Sequence, residues 1–346
     1  MFDCRRHCAD LSERSFLARG ESVPEASRVR LPSVTEVPTA ATQALASLSR
    51  RQKWLVGVSG GRDSVFLLHA LVRTGFRKLI VCHFDHRMRG RASTADARFV
   101  EALAGRLKLP FVGGRAPEPM PSCSEADARE LRFRFFASAA RQTRCPRVFL
   151  AHHADDQVET SLFNFLRGSG GRGVSGMRPS ASQRVDGIAL TLHRPLLGVW
   201  RDEIDAWMRE NRIAFRDDAT NATVSGSRNR IRLQLIPAAE AALDRGVREP
   251  ILRAAQIAGA EEDLLEEMTA SLGLPEALPL RSLLQQPLAL RRRWMRVWLR
   301  SRDIANVGFD VVEHALQIAD PTCPTARLQL PGGAMLRRRS GLLFIE

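Results

Sequence analysis

The sequence predicts an α/β chain: a doubly wound parallel sheet, then a helical module and a small C-terminal segment containing a hairpin. Three observations carry this. Short apolar runs alternate with helical patterns from residue 53 to about 212. The first run breaks into Ser59-Gly60-Gly61-Arg62-Asp63-Ser64 where a helix should begin. After Arg232 the strand pattern stops. In sheets of this kind ligands gather beyond the carboxyl ends of the strands, and the three principal motifs below, at 59 to 64, 83 to 89 and 151 to 160, follow predicted strands.

Residues 1 to 38 mix Arg, Ser, Glu and Pro without periodicity and read as a flexible extension. Their acidic residues disfavour a mitochondrial presequence. A short helix is expected over 39 to 51. The run 55 to 59 is apolar as buried strands are, and 63 to 74 follows as a helix with Val65, Leu68 and Val72 on one face. Further strands are expected at 78 to 84, 110 to 113, 147 to 152 and 188 to 193, and helices at 93 to 107, 124 to 143, 156 to 167 and 200 to 211. The run Gly168-Ser169-Gly170-Gly171-Arg172-Gly173 serves either as a mobile flap or as a glycine C-cap. Helices at 236 to 243 and 251 to 272 open the second module, which prolines 275, 279 and 287 punctuate. In the helix 288 to 300, Leu290, Trp294, Val297 and Trp298 share a face, so the tryptophans read as core and Arg291, Arg292 and Arg293 as candidate phosphate contacts. Segments 327 to 330 and 335 to 345 flank Pro331-Gly332-Gly333 as a hairpin-like ending.

Lys+Arg number 52 against 38 Asp+Glu, a net charge of +14, and only three of the basic residues are lysines. Guanidinium forks suit phosphate and base edges, so a polyanionic partner is expected. With no tyrosine in the chain, base stacking falls to Phe, Trp, His or Arg. The cysteines 4, 8, 82, 123, 145 and 323 form no C-x-x-C pair, which fits a reducing cytoplasm. Cys4, His7 and Cys8 could hold a metal in principle, but an arginine-rich tail is the simpler account. No apolar run approaches the roughly 18 residues of a membrane span, and no secretory leader pattern opens the chain.

The loop at 59 to 64 is chemically a phosphate cradle. Its glycines let backbone approach an anion, Ser59 and Ser64 bring hydroxyls, and the helix start supplies unpaired N–H groups and partial positive charge. The plain alternative is a serine-capped strand-to-helix turn. A Walker loop needs a lysine that is absent, and no G-x-G-x-x-G occurs.

The cradle resembles the Ser-Gly-Gly-x-Asp-Ser loop of the PP-loop ATP pyrophosphatases, which activate a carbonyl oxygen as its adenylate. Downstream come His83-Phe84-Asp85-His86-Arg87-Met88-Arg89, Ala151-His152-His153-Ala154-Asp155-Asp156-Gln157-Val158-Glu159-Thr160, Arg194-Pro195-Leu196-Leu197, Asp218-Ala219-Thr220-Asn221 and Arg228-Asn229-Arg230-Ile231-Arg232. In that order and spacing the chain resembles the tRNA(Ile)-lysidine synthase family from about 53 to 235. The resemblance implies a catalytic domain over 39 to 235 and a tRNA-binding module over 236 to 346. It implies ATP and magnesium, free L-lysine, and a tRNA(Ile) with a CAU anticodon whose wobble cytidine becomes lysidine. A homodimer is compatible with the sequence, which does not set the oligomeric state.

Adenylation needs a cradle for pyrophosphate, magnesium, and an oriented nucleophile. On the resemblance, Ser59, Gly60, Gly61, Arg62, Asp63, Ser64 and His83 bind ATP, and Asp63 holds magnesium, its plain alternative being helix capping. Asp156 and Glu159 stand three apart on one helix face, either as catalytic carboxylates or as a capping box. The resemblance makes carboxylates here receivers of the lysine ammonium groups and holders of its attacking amine, without saying which does which, and puts His152, Asp155, Asp156 and Glu159 with Arg228, Asn229 and Arg232 in the lysine- and tRNA-binding set. A zinc site on His152, His153 and Asp155 is disfavoured, since adjacent side chains on extended backbone point oppositely. Arg129 lies in an Ala-Arg-x-x-Arg-aromatic pattern where Phe133 replaces the family's tyrosine, and is expected at phosphate or the activated base. Arg228 and Arg232, with Asn229, either face an anion together or form a basic helix face.

Three other functions compete with this one. A tRNA 2-thiolation enzyme would use the same adenylate with sulfur, and the lack of paired cysteines argues against it. A small-molecule synthetase leaves the basic charge unexplained, and no glutaminase segment precedes the loop. A non-catalytic RNA-binding sensor would not need Asp63, Asp156 and Glu159 together.

Overall fold

The computed structural model describes residues 35–88, 91–118, 124–216 and 227–346. Most of the expected N-terminal extension, with Cys4, His7 and Cys8, lies outside them, as do Cys123 and the Asp218–Asn221 motif. The chain divides into a unit ending at Ala255 and a second from Gln256 to Glu346.

In the first unit α1 (Thr39–Ala46) precedes β1 (Lys53–Gly57), α2 (Arg62–Arg73), β2 (Lys78–Asp85), α3 (Arg91–Arg106), β3 (Phe111–Arg115), α4 (Glu125–Thr143) and β4 (Arg147–Phe149). There follow α5 (Ala154–Leu166), α6 (Gly170–Val174), β5 (Ser180–Val185), β6 (Ile188–His193) and α7 (Arg201–Glu210). The sheet order is β3-β2-β1-β4-β6-β5. All neighbours are parallel except β5 and β6, an antiparallel hairpin at the edge. The expected sheet is therefore present, with one edge strand the sequence reading lacks. Ser180–Val185 alternates in exposure and carries few apolar residues, so it does not read as a buried strand. The signal was its turn: Asp186 and Gly187 both have positive φ (47° and 79°), the Asp-Gly pair a tight hairpin favours.

The order reverses between β1 and β4, the switch point at which such sheets bind ligands. One core packs Trp54, Val56, Phe66, Leu68 and Phe149 with Trp207 of α7. The other places Leu55, Val112, Phe136 and Val148 under α4. Trp54 stacks on Phe149 at 4.4 Å between centroids.

His69 is a conspicuous cost in the first core. It is buried, neither ring nitrogen has a hydrogen-bond partner, and burial together with Arg73 and Arg106 pushes its pKa down to about 4. A depressed histidine gives stability that is complete above its unfolded pKa near 6.5 and is lost as pH falls toward the folded value. His69→Leu is expected to gain about 1 kcal/mol at neutral pH, because the unpartnered polar atoms disappear. It should also flatten the loss between pH 6.5 and 4. Denaturant titrations of both chains across that range check this.

After α7 come α8 (Ser227–Arg230), a π-helical turn (Ile231–Leu235), α9 (Ile236–Leu243) and α10 (Arg248–Ser271). Ile231, Ile236, Val247 and Leu252 pack with Ala154 and Val158 of α5. In the second unit β7 (Leu278–Pro279), α11 (Leu280–Leu284), α12 (Leu288–Arg300) and α13 (Phe309–Ala319) precede β8 (Arg327–Gln329), β9 (Met335–Arg339) and β10 (Leu342–Ile345). The expected hairpin is β9–β10, inside a four-stranded antiparallel sheet of order β7-β10-β9-β8. Trp294 and Trp298 are core, their indole N–H groups donating to the Gly273 and Pro275 carbonyls at 2.8 and 2.9 Å. Arg292 pairs with Glu313 and Arg293 with Glu262, while Arg291 donates to the Gln286 carbonyl, so these three arginines are engaged within the unit. No described helix is long and apolar enough to cross a membrane.

Candidate active site

The strand-to-helix turn at 59 to 64 forms as the sequence implies. Gly60 takes φ 95°, a conformation that favours glycine, and Gly61 caps α2. The loop closes on itself: the Ser59 N–H donates to Ser64 Oγ at 3.1 Å, the two hydroxyls lie 3.1 Å apart, and Ser64 Oγ donates to the Gly61 carbonyl at 2.8 Å. Asp63 follows in the first turn of α2, whose leading N–H groups have no intrahelical acceptor. Arg62 turns away from the loop, ion-paired with Asp205 of α7 and stacked 4.8 Å from the Phe215 ring centroid. Its guanidinium is thus a strut between α2 and α7.

A cavity of about 360 Å³ opens above the cradle. Gly57, Cys82, Phe84, Phe136 and Leu150 form its apolar side; Asp63, His86, His152, Arg132, Arg201 and Arg216 bring polar groups. A Cβ at Gly57 would stand 2.9 Å from Phe136 Cζ, so glycine is what lets that ring close the floor. His83 is not among the lining residues. It is buried, and its Nδ1 lies 2.8 Å from the Val58 carbonyl, holding the end of β1 against β2.

The two adjacent histidines do point apart. His152 lines the cavity, where burial and the arginines 194, 132 and 129 outweigh Asp156 and hold its pKa down at about 3. Its buried Nδ1 has no hydrogen-bond partner among the described residues. His153 faces the acids: its Nε2 is 3.7 Å from Asp63 Oδ2 and 3.5 Å from Asp156 Oδ2, and its Nδ1 is 3.5 Å from Asp155 Oδ2. Burial opposes charge on this ring, yet Asp155, Asp156 and Asp63 together raise its pKa. His153 is a residue that sequence reasoning passed over, weighing it only as a zinc ligand. Its backbone pairs with Leu196 in an isolated parallel bridge.

Asp156 accepts from the His153 N–H at 3.1 Å, so the helix cap joins 153 to 156 and leaves Glu159 for other work. Glu159, only 2% exposed, receives Arg232 Nε at 2.5 Å, and Arg232 Nη2 lies 3.7 Å from Asp156 Oδ1. The π-helical turn at Ile231–Leu235 includes Arg232, a backbone irregularity common at functional sites. Burial raises the Glu159 pKa against the opposing pull of Arg232. Asp155 is fully engaged: Oδ2 accepts from the Arg201 N–H at 3.0 Å and Oδ1 from Arg248 at 3.1 Å. Although burial works the other way, His153, Arg201 and Arg248 hold its pKa well below the usual range. A second cavity of about 180 Å³ is lined by Asp155, Glu159, Glu240, Arg232 and Arg248 with Val158, Ile236 and Pro237.

Arg129 lies over Phe133 at 4.8 Å, so the ring contact persists without the tyrosine hydroxyl. Arg194, the start of the Arg-Pro-Leu-Leu motif, is buried at the end of β6 and donates to the Arg178 carbonyl at 2.8 Å. Burial, with Arg129 nearby, lowers its pKa to about 10. Arg228 and Asn229 lie in α8, half-buried, a turn before Arg232. The glycine-rich segment after α5 is tied down, with Asn164 and Gln157 donating to the Gly173 and Ser175 carbonyls at 2.9 and 2.8 Å.

A PP-loop domain model matches residues 34–239. A tRNA(Ile)-lysidine synthase from Solibacter usitatus is 41% identical over 80% of this chain and 63% of that protein. One from Geobacter sulfurreducens is 36% identical over 82% of this chain, again covering 63% of the relative, so the chain spans less than two thirds of these two proteins. One from Thermosynechococcus vestitus is 32% identical over 83% of this chain and 86% of that protein. With the PP-loop domain around its cradle and that match along most of a relative's length, the chain belongs to the tRNA(Ile)-lysidine synthase family.

Proposed function

We propose that this protein uses ATP to join free L-lysine to C2 of the wobble cytidine in a tRNA(Ile) with a CAU anticodon, in the cytoplasm. One observation carries the reading. The start of α5 links two cavities, with His153 and Asp156 beside Asp63 of the phosphate cradle, and Asp156 and Glu159 beside Arg232 of the smaller cavity. A nucleotide site and an amino-acid site thereby share one short stretch of chain.

In the first step the C2 oxygen of cytosine attacks the α-phosphorus of ATP, and the bond to pyrophosphate breaks. The loop from Ser59 to Ser64 holds the departing phosphates. Asp63 fits a magnesium ion, since Oδ1 is buried without a partner and this ion is usually held by one or two carboxylates plus substrate phosphates. When bound, magnesium would neutralise charge building on the leaving group. His152, which lines the larger cavity, and Arg129, whose charge reaches it, meet the cytosine. In the second step the lysine ε-amine attacks C2, the C2–O bond breaks, AMP departs, and a proton passes from the amine to a carboxylate of α5. The smaller cavity suits lysine, with Arg232 and Arg248 for its carboxylate, Val158, Ile236 and Pro237 for its stem, and Glu159 and Glu240 for the amine; Asp156 stands beside it, near Arg232. The module after residue 235, with Arg228 and Asn229 before it, grips the tRNA body.

The relatives' shared name favours lysine over the sulfur of a thiolation enzyme. Incorporation of radiolabelled lysine into unmodified CAU-anticodon tRNA(Ile), beside a methionine tRNA, tests the whole reading. Label is expected only in the isoleucine tRNA. Pyrophosphate release that depends on tRNA but leaves no label would replace lysine by another nucleophile.

A further inference from the structure

Four arginines line the larger cavity: 62, 132, 201 and 216. Arg62 is ion-paired with Asp205, Arg216 Nε lies 3.0 Å from Asp96 Oδ1, and Arg132 also has a partner. Arg201 differs. Its guanidinium makes no hydrogen bond or ion pair among the described residues, although it is half-buried. Its backbone, by contrast, is held firmly, with the N–H donating to Asp155 Oδ2 at 3.0 Å and the preceding Val199 carbonyl accepting from Ala154 N at 2.9 Å. Asp63 is the acid whose charge Arg201 feels and supports. The fold therefore fixes the base of this side chain against the start of α5 and leaves its fork uncommitted at the phosphate cradle. An unpaired, partly desolvated guanidinium is costly unless an anion completes it, and its planar fork matches phosphate oxygens.

We propose that Arg201 is a further catalytic residue, contacting the terminal phosphates of ATP and stabilising the pyrophosphate as it leaves. This rests on the ATP-dependent reading above. With Arg62 serving as a strut to Asp205, Arg201 takes the role that the arginine inside the loop would be expected to fill.

The test uses the full chain with magnesium, comparing wild type, Arg201→Gln and Arg201→Lys by calorimetric titration with ATP, AMP and inorganic pyrophosphate. Arg201→Gln is expected to weaken ATP and pyrophosphate about tenfold or more while AMP binds as before. Arg201→Lys should recover part of the loss, having the charge without the fork. Either variant keeps the backbone bond to Asp155, and equal melting temperatures would verify the fold. Unchanged ATP and pyrophosphate affinity, or an equal loss for AMP, overturns the assignment to the terminal phosphates. If the wild-type chain binds neither ATP nor pyrophosphate, the proposed function falls with it; binding by wild type and variant alike removes only the role of Arg201.

Discussion

Asp63→Asn is expected to abolish tRNA-dependent pyrophosphate release and, at the same time, to raise the melting temperature of the ligand-free protein. Burial pushes the Asp63 pKa up, with Asp156 adding to it against His153, Arg201 and Arg62, and Oδ1 has no hydrogen-bond partner. The ionised carboxylate is therefore unfavourable where it stands until a cation arrives. For a carboxyl whose folded pKa is raised, stability is complete below the unfolded pKa and is lost as pH rises through the folded one. The Asn variant lacks that loss, so its advantage should be absent in acid and grow toward neutrality to a few degrees in thermal melts. Activity should fall by about a thousandfold or more, since the carboxylate proposed to hold the magnesium that balances the leaving pyrophosphate is gone. Melting curves at several pH values, beside a pyrophosphate-release assay, check both halves. A variant that is less stable as well as inactive would make Asp63 a structural cap instead.

The second large effect is expected at Arg232. Glu159 is 2% exposed, and Arg232 at 2.5 Å is its partner, with Asp156 close by. Arg232→Ala strands a buried carboxylate. Fully buried pairs broken in this way lose about 3–5 kcal/mol; because Arg232 itself is 27% exposed, about 2–3 kcal/mol is expected. The double variant Arg232→Ala/Glu159→Gln should regain most of that stability, since the amide needs no counter-charge, yet still fail to ligate lysine because both cavity groups are lost. Denaturant unfolding gives the first number and lysine incorporation the second. A double variant as unstable as the single one would mean that Arg232 stabilises through packing and not through Glu159.

Much of this arrangement was legible in the residues. The cradle could be read because Gly60, Gly61 and the two serines announce a strand-to-helix turn by local chemistry alone. Asp156 and Glu159 could be paired because helical spacing puts residues three apart on one face. Other parts were written in signals that went unread: the Asp186-Gly187 turn marks the edge hairpin, and the periodic Val312, Ala315 and Ala319 mark α13, where all three are buried.

Sequence by itself determined most of the order of strands and helices, the glycine-serine turn at 59 to 64, and the choice of carboxylates and arginines available to the site, since each follows from periodicity, turn chemistry or spacing within a few residues. Tertiary structure alone decided which of these meet. Arg62 and Asp205 lie far apart in the chain, as do Glu159 and Arg232, Asp155 and Arg248, or His153 and Asp63. No local rule relates them. Side-chain direction and sheet crossover bring them together, and so committed Arg62 to a strut, gave Glu159 its counter-charge, and left the fork of Arg201 unpaired at the cradle.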